Sequence, residues 1–323
     1  MIKFPNKRTK LTKDLLKAKK RGDAKELEAF FKKLKDNQLE MLHRAIQTEG
    51  KDLASCVLLP KDNDPHVYCC QTWRWPNVQS FNIRRLPVCK SASDTIYICC
   101  NPYHWSKLLP ESPPPYSCCA QPLQPEDRAP SEAALVFRDS YPTSLTTYGE
   151  DPTSRWWCKL AYWEMTKRVG RQFPVEKPFI NIFWDVPYGE GLSVKELSHC
   201  CNSCPDEVSK ARRKIGLGIT LSREDNRIWV YNRSSIPIFV NSLTLDSSID
   251  SLPTRVHMEH CLCVFDPIKI AHKDYRCKIA NSKGPIDINS VTISFGKGWG
   301  DGYSRMEISS CPCWIEILLA PCR

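Results

Sequence analysis

Cys99-Cys100-Asn101-Pro102-Tyr103-His104 places two thiols and an imidazole within six residues. Cys89 lies ten positions upstream of Cys99, giving a Cys-x9-Cys-x4-His group. Soft ligands at such spacing suit a tetrahedral zinc site, which needs a fourth donor to close. Spacing alone leaves Cys56, Cys69, Cys70 and Cys100 as candidates for that place. Adjacent cysteines rarely reach one metal together, so each doublet supplies at most one ligand. The competing reading is a set of buried thiols beside a surface histidine. From Cys56 to Trp105 the text is short apolar runs with many Cys, Trp and Pro. This is the signature of a small irregular module whose core needs a staple.

The surroundings fix the redox context. The chain has 323 residues and 18 cysteines, enough length for two domains. Basic residues follow Met1 with no apolar signal-peptide core, and no apolar run is long enough to span a bilayer. Reduced cysteines and no membrane insertion are therefore expected, so the thiols bind metal or pack as small hydrophobes. The formal net charge of +10 suits anionic partners without choosing among them. Much of that charge sits in Lys3, Lys7, Arg8, Lys10, Lys13, Lys17, Lys19, Lys20 and Arg21, so residues 1–22 read as a solvated basic tail. Leu27, Phe30, Phe31 and Leu34, then Leu39, Leu42 and Ile46, recur at helical spacing, and Gly50 offers a stop.

Prolines crowd residues 107–153, which read as an extended linker. Within it Pro113-Pro114-Pro115-Tyr116 fits the Pro-Pro-x-Tyr ligand of WW domains. A preformed polyproline helix seats in an aromatic groove with little ordering entropy left to lose. A plain Pro-rich spacer is the alternative.

From about Arg155 the chain reads mostly as strands, through Trp157, Ala161, Trp163 and Met165, then Val230, Ile236, Ile238 to Val240, Val291 to Phe295, Met306 to Ile308 and Trp314 to Leu318. One helix interrupts them at Pro205 to Gly216, opened by acids and closed by bases. Phe295-Gly296-Lys297-Gly298-Trp299-Gly300-Asp301-Gly302-Tyr303 is no nucleotide loop, because no helix follows the glycines. His199-Cys200-Cys201-Asn202-Ser203-Cys204 reads as a cysteine-rich loop, since no second pair follows at metal spacing. No nucleophile, base and orienter stand in a catalytic pattern, so an enzyme is not expected.

Trp73-Arg74-Trp75-Pro76 followed by Cys99 to His104 resembles the N-terminal Mad-homology (MH1) domain of Smads. Lys297-Gly298-Trp299-Gly300 before Tyr303-Ser304-Arg305, with Trp157-Cys158, Arg168-Val169-Gly170, Lys214-Ile215-Gly216, Ile238-Phe239-Val240 and Cys311-Pro312-Cys313-Trp314, resembles the C-terminal (MH2) domain. The motifs occur in family order, and the linker motif is similar to that of inhibitory Smads. The resemblance implies an α+β, zinc-stapled N-terminal domain over 23–106. It implies a mostly-β C-terminal sandwich with a helical bundle, Smad/FHA-like, over 154–323. It further implies one structural Zn2+ on Cys56, Cys89, Cys99 and His104, with Cys70 not a ligand.

The same resemblance implies that Lys210, Lys214, Lys297 and Arg305 form a groove for activated type I receptor serine/threonine kinases. Pro113 to Tyr116 would recruit HECT-type ubiquitin ligases through their WW domains, and the C-terminal domain could trimerise with other Smads. Localisation to cytoplasm and nucleus follows. DNA-binding members carry a β-hairpin where this chain has only Lys61-Asp62-Asn63-Asp64-Pro65-His66 between Pro60 and Val67, too short for two strands and a turn. A zinc-containing DNA-binding regulator is therefore the second expectation. Receptor-activated members end in Ser-Ser-x-Ser; this chain reads Ile317 to Arg323 with no such serines, so a competitor that is not released by phosphorylation is expected.

Overall fold

The computed structural model describes residues 7–109, 156–185, 191–198, 204–245, 252–271 and 289–320. Three helices open it: α1 (Lys7–Lys17), α2 (Ala24–Lys33) and α3 (Asp36–Gln47). Leu27, Phe30 and Phe31 on α2 and Leu39, Leu42 and Ile46 on α3 recur every three or four residues and meet in one core. α1 corrects the expected basic tail. Leu11, Leu15 and Leu16 form a stripe hidden among the lysines, and Leu15 is buried in that same core. The Trp73 indole N–H donates to the Leu15 carbonyl at 3.2 Å, tying α1 down. Gly50, at φ +81°, ends the helical part where a Cβ would come within 2.9 Å of the Tyr103 ring.

Short strands follow. β1 (Leu58–Pro60) turns directly into α4 (Pro65–Trp73), then come β2 (Ile83–Arg85), β3 (Tyr97–Cys99) and β4 (Trp105–Leu108). β1 and β3 pair antiparallel, with Leu58 opposite Cys99. α4 was not legible as a helix: five of its nine residues are buried, so it lacks a polar face to mark the period.

The C-terminal part is a sandwich. Its elements are β5 (Cys158–Glu164), β6 (Lys167–Val175), β7 (Phe179–Phe183), β8 (Gly191–Ser193), α5 (Val194–Ser198), α6 (Asp206–Ile215), β9 (Ile219–Glu224), β10 (Arg227–Asn232), β11 (Ile238–Ser242), β12 (Thr254–Val256), β13 (His260–Phe265), α7 (Pro267–Ala271), β14 (Ser290–Phe295) and β15 (Trp314–Leu319). One sheet runs β12-β11-β14-β15-β5-β6. Its Leu160, Val240, Ile293, Ile315 and Ile317 pack against Ile182, Leu221, Val230 and Val264 of the other. Three strand readings need correction. Met165 sits in the β5–β6 turn at φ +52°, Ile236 lies in the loop before β11, and Met306 and Glu307 lead into a 3-10 turn that Ile308 opens, the final strand starting only at Trp314.

The second sheet crosses between the two domains, in the order β2-β4-β13-β10-β9-β7-β8. β4 lies parallel to β13, with Lys107 opposite His260 and Leu108 opposite Cys261. Lys107 and Leu108 therefore belong to a sheet and not to the linker, because the backbone of β13 would otherwise leave an open edge. Side chains reinforce the join. Glu259 accepts from the Trp75 indole at 2.6 Å and pairs with Arg74 at 2.9 Å. Its burial alone would raise its pKa, but Arg74 and Trp75 outweigh burial and hold the carboxyl low. Arg84 bonds Glu224 and the Tyr231 hydroxyl and lies 3.8 Å over the Trp229 ring.

α6 is clamped to the first sheet by an ion pair. Arg212 donates from Nε and Nη2 to the two oxygens of Glu164, each at 2.6 Å, and Tyr162 adds a hydroxyl at 3.1 Å. Both charged side chains are about nine-tenths buried. Removing one partner strands the other charge, which costs roughly 3–5 kcal/mol. Arg212→Ala is therefore expected to lower stability in urea denaturation by about that amount. Arg212→Met paired with Glu164→Leu, which leaves no orphan charge, is expected to recover most of it. A single variant as stable as the parent would show that the pair does not hold the helix.

Candidate metal centre and basic recognition surface

The β1–β3 pairing brings the metal candidates together. Cys56 precedes β1, and Cys99 ends β3. Cys89 stands in a turn after β2, its N–H donating to the Leu86 carbonyl at 3.1 Å. His104 closes the 3-10 turn Pro102–His104, which Asn101 braces by accepting from the Tyr103 N–H at 2.9 Å and donating to the Ser55 carbonyl at 2.7 Å. The ligand atoms of Cys56, Cys89, Cys99 and His104 all lie within 4.8 Å of one another. Cys56 Sγ is 4.0 Å from Cys89 Sγ, and His104 Nδ1 is 3.5 Å from Cys56 Sγ and 3.4 Å from Cys99 Sγ. A tetrahedron with zinc–sulfur bonds of about 2.3 Å has sulfur–sulfur edges of about 3.8 Å, and sulfur–nitrogen edges are slightly shorter. The set fits one zinc ion.

The imidazole is aimed for this task. His104 Nε2 lies 3.1 Å from the Leu53 carbonyl, an N–H donor position that leaves Nδ1 facing the sulfurs. Burial alone would lower the His104 pKa, but hydrogen bonds to Cys56 and Cys89 raise it to about 9. Hydrogen bonds with Cys56 and Cys99 pull the Cys89 thiol well below its ordinary value, and hydrogen bonds with Cys56 and Cys89 push Cys99 well above it.

Of the candidates for the fourth place, Cys56 is the one the fold brings to Cys89, Cys99 and His104. Cys70 is buried on α4 beside Trp75, Val78 and Trp105, and burial pushes its thiol up to about 12. Cys69 and Cys100 are buried in the helical core. These three behave as small apolar side chains. Between β1 and α4 the chain makes one turn, with Lys61 Nζ donating to the Asp94 carbonyl at 2.9 Å. The described residues contain no two-stranded ribbon there, so the device by which a domain of this kind would enter the major groove is missing.

The second constellation lies on α6 and the glycine-rich loop. Val208, Ala211, Arg212 and Ile215 face the protein, while Lys210, Arg213 and Lys214 are exposed. The loop after β14 is firmly built. Trp299 is buried against Phe239, Cys311 and Trp314. Tyr303 meets Phe239 edge-on at 5.7 Å and covers Gly298, where a Cβ would come within 2.3 Å of the ring. The Gly300 N–H donates to the Arg305 carbonyl at 2.7 Å. Lys297 is exposed on this frame, and Arg305 reaches across to α6, where it forms an ion pair with Glu207.

Arg213 and Glu207 were missed as parts of this surface, since in sequence they read only as the charges that open and close a helix. Glu164 and Glu259 gave no signal, because their partners are distant in the chain. Pro113 to Tyr116 and His199 to Ser203 lie outside the described residues. Among the described residues no helix is long and apolar enough to cross a membrane.

Comparison with known proteins agrees with this two-part layout. The MH1 domain family matches residues 23–109, and the MH2 domain family matches residues 155–320. Mothers against decapentaplegic homolog 6 of Gallus gallus is 38% identical over 90% of this chain and 74% of its own length. Mothers against decapentaplegic homolog 7 of Mus musculus is 36% identical over 90% of this chain and 76% of its own. Dwarfin sma-3 of Caenorhabditis elegans is 27% identical over 91% of this chain and 86% of its own. With both domains matched in order and these relatives aligned across them, the chain belongs to the inhibitory class of the Smad family.

Proposed function

We propose that this protein damps TGF-beta/BMP-type signalling by occupying activated type I receptor serine/threonine kinases through its C-terminal domain. The observation that carries this reading is the exposed row Lys210, Arg213 and Lys214 on α6, beside a rigid loop that presents Lys297 and Arg305. Phosphoserine brings a charge of about −1.5 to −2 and three acceptor oxygens, which guanidinium and ammonium groups on a fixed frame bind well. A rigid frame lowers the ordering cost of binding. The Pro-rich segment, through Pro113, Pro114, Pro115 and Tyr116, brings HECT-type ubiquitin ligases by their WW domains. Other Smads are further partners of the C-terminal domain, and the protein works in cytoplasm and nucleus.

The N-terminal domain serves as a zinc-stapled module. Cys56, Cys89, Cys99 and His104 would hold one Zn2+, which supplies folding free energy and no reaction chemistry. Without the DNA-reading ribbon, the domain's visible role is to cover the β13 edge. A DNA-binding regulator is the weaker reading for the same reason.

Two experiments test these statements. Purified protein is expected to contain one zinc per chain by elemental analysis, and a strong chelator is expected to melt the N-terminal helices, followed by far-UV circular dichroism. A zinc-free but folded protein, or full zinc retention by Cys56→Ala with His104→Ala, would contradict the assignment. In parallel pull-downs, Lys297→Glu with Arg305→Glu is expected to lose the phosphorylated receptor at least tenfold and keep the ligase, while Tyr116→Ala does the reverse. Receptor binding by the parent should also fall steeply with salt. Loss of both partners in both variants, or of neither, would break the division of labour.

A further inference from the structure

The Arg305–Glu207 contact gives the receptor-binding surface a threshold. Glu207, Lys210 and Lys214 are spaced i, i+3 and i+7 on α6, so they form one line along one helix face. Glu207 is the acidic end of that line, and it is bound to the arginine on the loop. Arg305 Nε donates to the Ser310 carbonyl at 3.2 Å, and Nη2 donates to Glu207 Oε1. These two N–H groups form the side-on fork of a guanidinium, the same fork by which Arg212 takes both oxygens of Glu164. The fork that best grips an anion is therefore already filled by acceptors of the protein itself.

We propose that Glu207 is a specificity-determining residue: it occupies Arg305 as an internal competitor, so that a phosphoserine can claim the arginine and an ordinary carboxylate cannot. The proposal rests on the receptor reading above and deepens it. A carboxylate on a ligand offers Arg305 the same chemistry that Glu207 already offers. It must also compete with a group held permanently at the site, at high effective concentration. A phosphate has about twice the charge and an extra oxygen, so it displaces Glu207 or binds Arg305 at the remaining Nη1–Nη2 end. Glu207 is about half exposed, so its departure leaves no buried charge. Released from Arg305, it stands in the first turn of α6, where a negative charge is favourable.

The test uses the full chain and its Glu207→Gln variant, checked for parental circular dichroism. The ligand is one type I receptor cytoplasmic domain in three forms: unmodified, phosphorylated, and with aspartate at the phosphorylated serines. The parent is expected to bind the phosphorylated form in clear preference to the aspartate form. Glu207→Gln is expected to strengthen binding of the aspartate form about threefold to fivefold, the upper part of the range of an exposed ion pair, and of the phosphorylated form by less than about twofold. Discrimination then narrows. If the parent discriminates and the variant keeps the same ratio, or binds both forms more weakly, Glu207 only positions the loop and the proposal fails while the receptor reading stands. If the parent binds all three forms alike, the receptor reading fails and the proposal with it.

Discussion

The pairing of Arg212 with Glu164 is the constraint on which the basic surface of α6 and the glycine-rich loop depends. α6 has few apolar residues, with only Val208, Ala211 and Ile215 besides Arg212 turned inward. Its remaining positions are charged or polar, and Lys210, Arg213 and Lys214 repel one another along the exposed face. Two short hydrogen bonds to the end of β5 fix this helix against the sandwich and leave Lys210, Arg213 and Lys214 outward. Cys313, just before β15, touches the Val208 carbonyl at 3.9 Å, and Arg305 ties the loop to Glu207. Helix and loop are thus held by the same end of the same sheet. A buried ion pair of this kind adds little net stability over an apolar pair, but it admits one register of helix on sheet.

The N-terminal domain answers a different problem. Its strands are three or four residues long, and its apolar clusters are small and separate. The convergence of Cys56, Cys89, Cys99 and His104 lies where β1, β3 and the turn after β2 meet, so one bound ion would join segments spread over 49 residues of chain. β2 and β4 then complete the edge of the C-terminal sheet, with Glu259 as the polar centre of the junction. The domain pairing is therefore backbone as well as side chain, which fixes the orientation of the two cores more firmly than salt bridges alone.

Much of this was legible in the amino-acid text, for stated reasons. α2 and α3 are amphipathic, and their periodicity gave them away. The spacing of Cys89, Cys99 and His104 announced a metal set, while its fourth member came from the family resemblance, which the geometry now supports. The sandwich strands carry β-branched runs, and Pro205 to Gly216 carries both helix signals. What was illegible depends on contacts distant in sequence. Leu15 needed Trp73 to make a helix out of a lysine-rich stretch. Lys107 and Leu108 needed β13 to become a strand. α4, buried on several sides, showed no period. Glu207 and Glu164 looked like ordinary helix and strand-end acids, because nothing local shows that an arginine 98 or 48 residues away will reach them.

In the proposed function, phosphorylated receptor is read by cations on α6 and the glycine-rich loop. Side-chain NMR of protein labelled with nitrogen-15 at arginine and lysine, titrated with the phosphorylated receptor domain, tests it most directly. Arg305 Nε and the Nζ groups of Lys210, Lys214 and Lys297 are expected to shift together and saturate with the binding curve, while Arg212 stays fixed on Glu164. Shifts confined to cations of the N-terminal domain such as Lys61 and Arg85, with the α6 and loop groups unmoved, would contradict it.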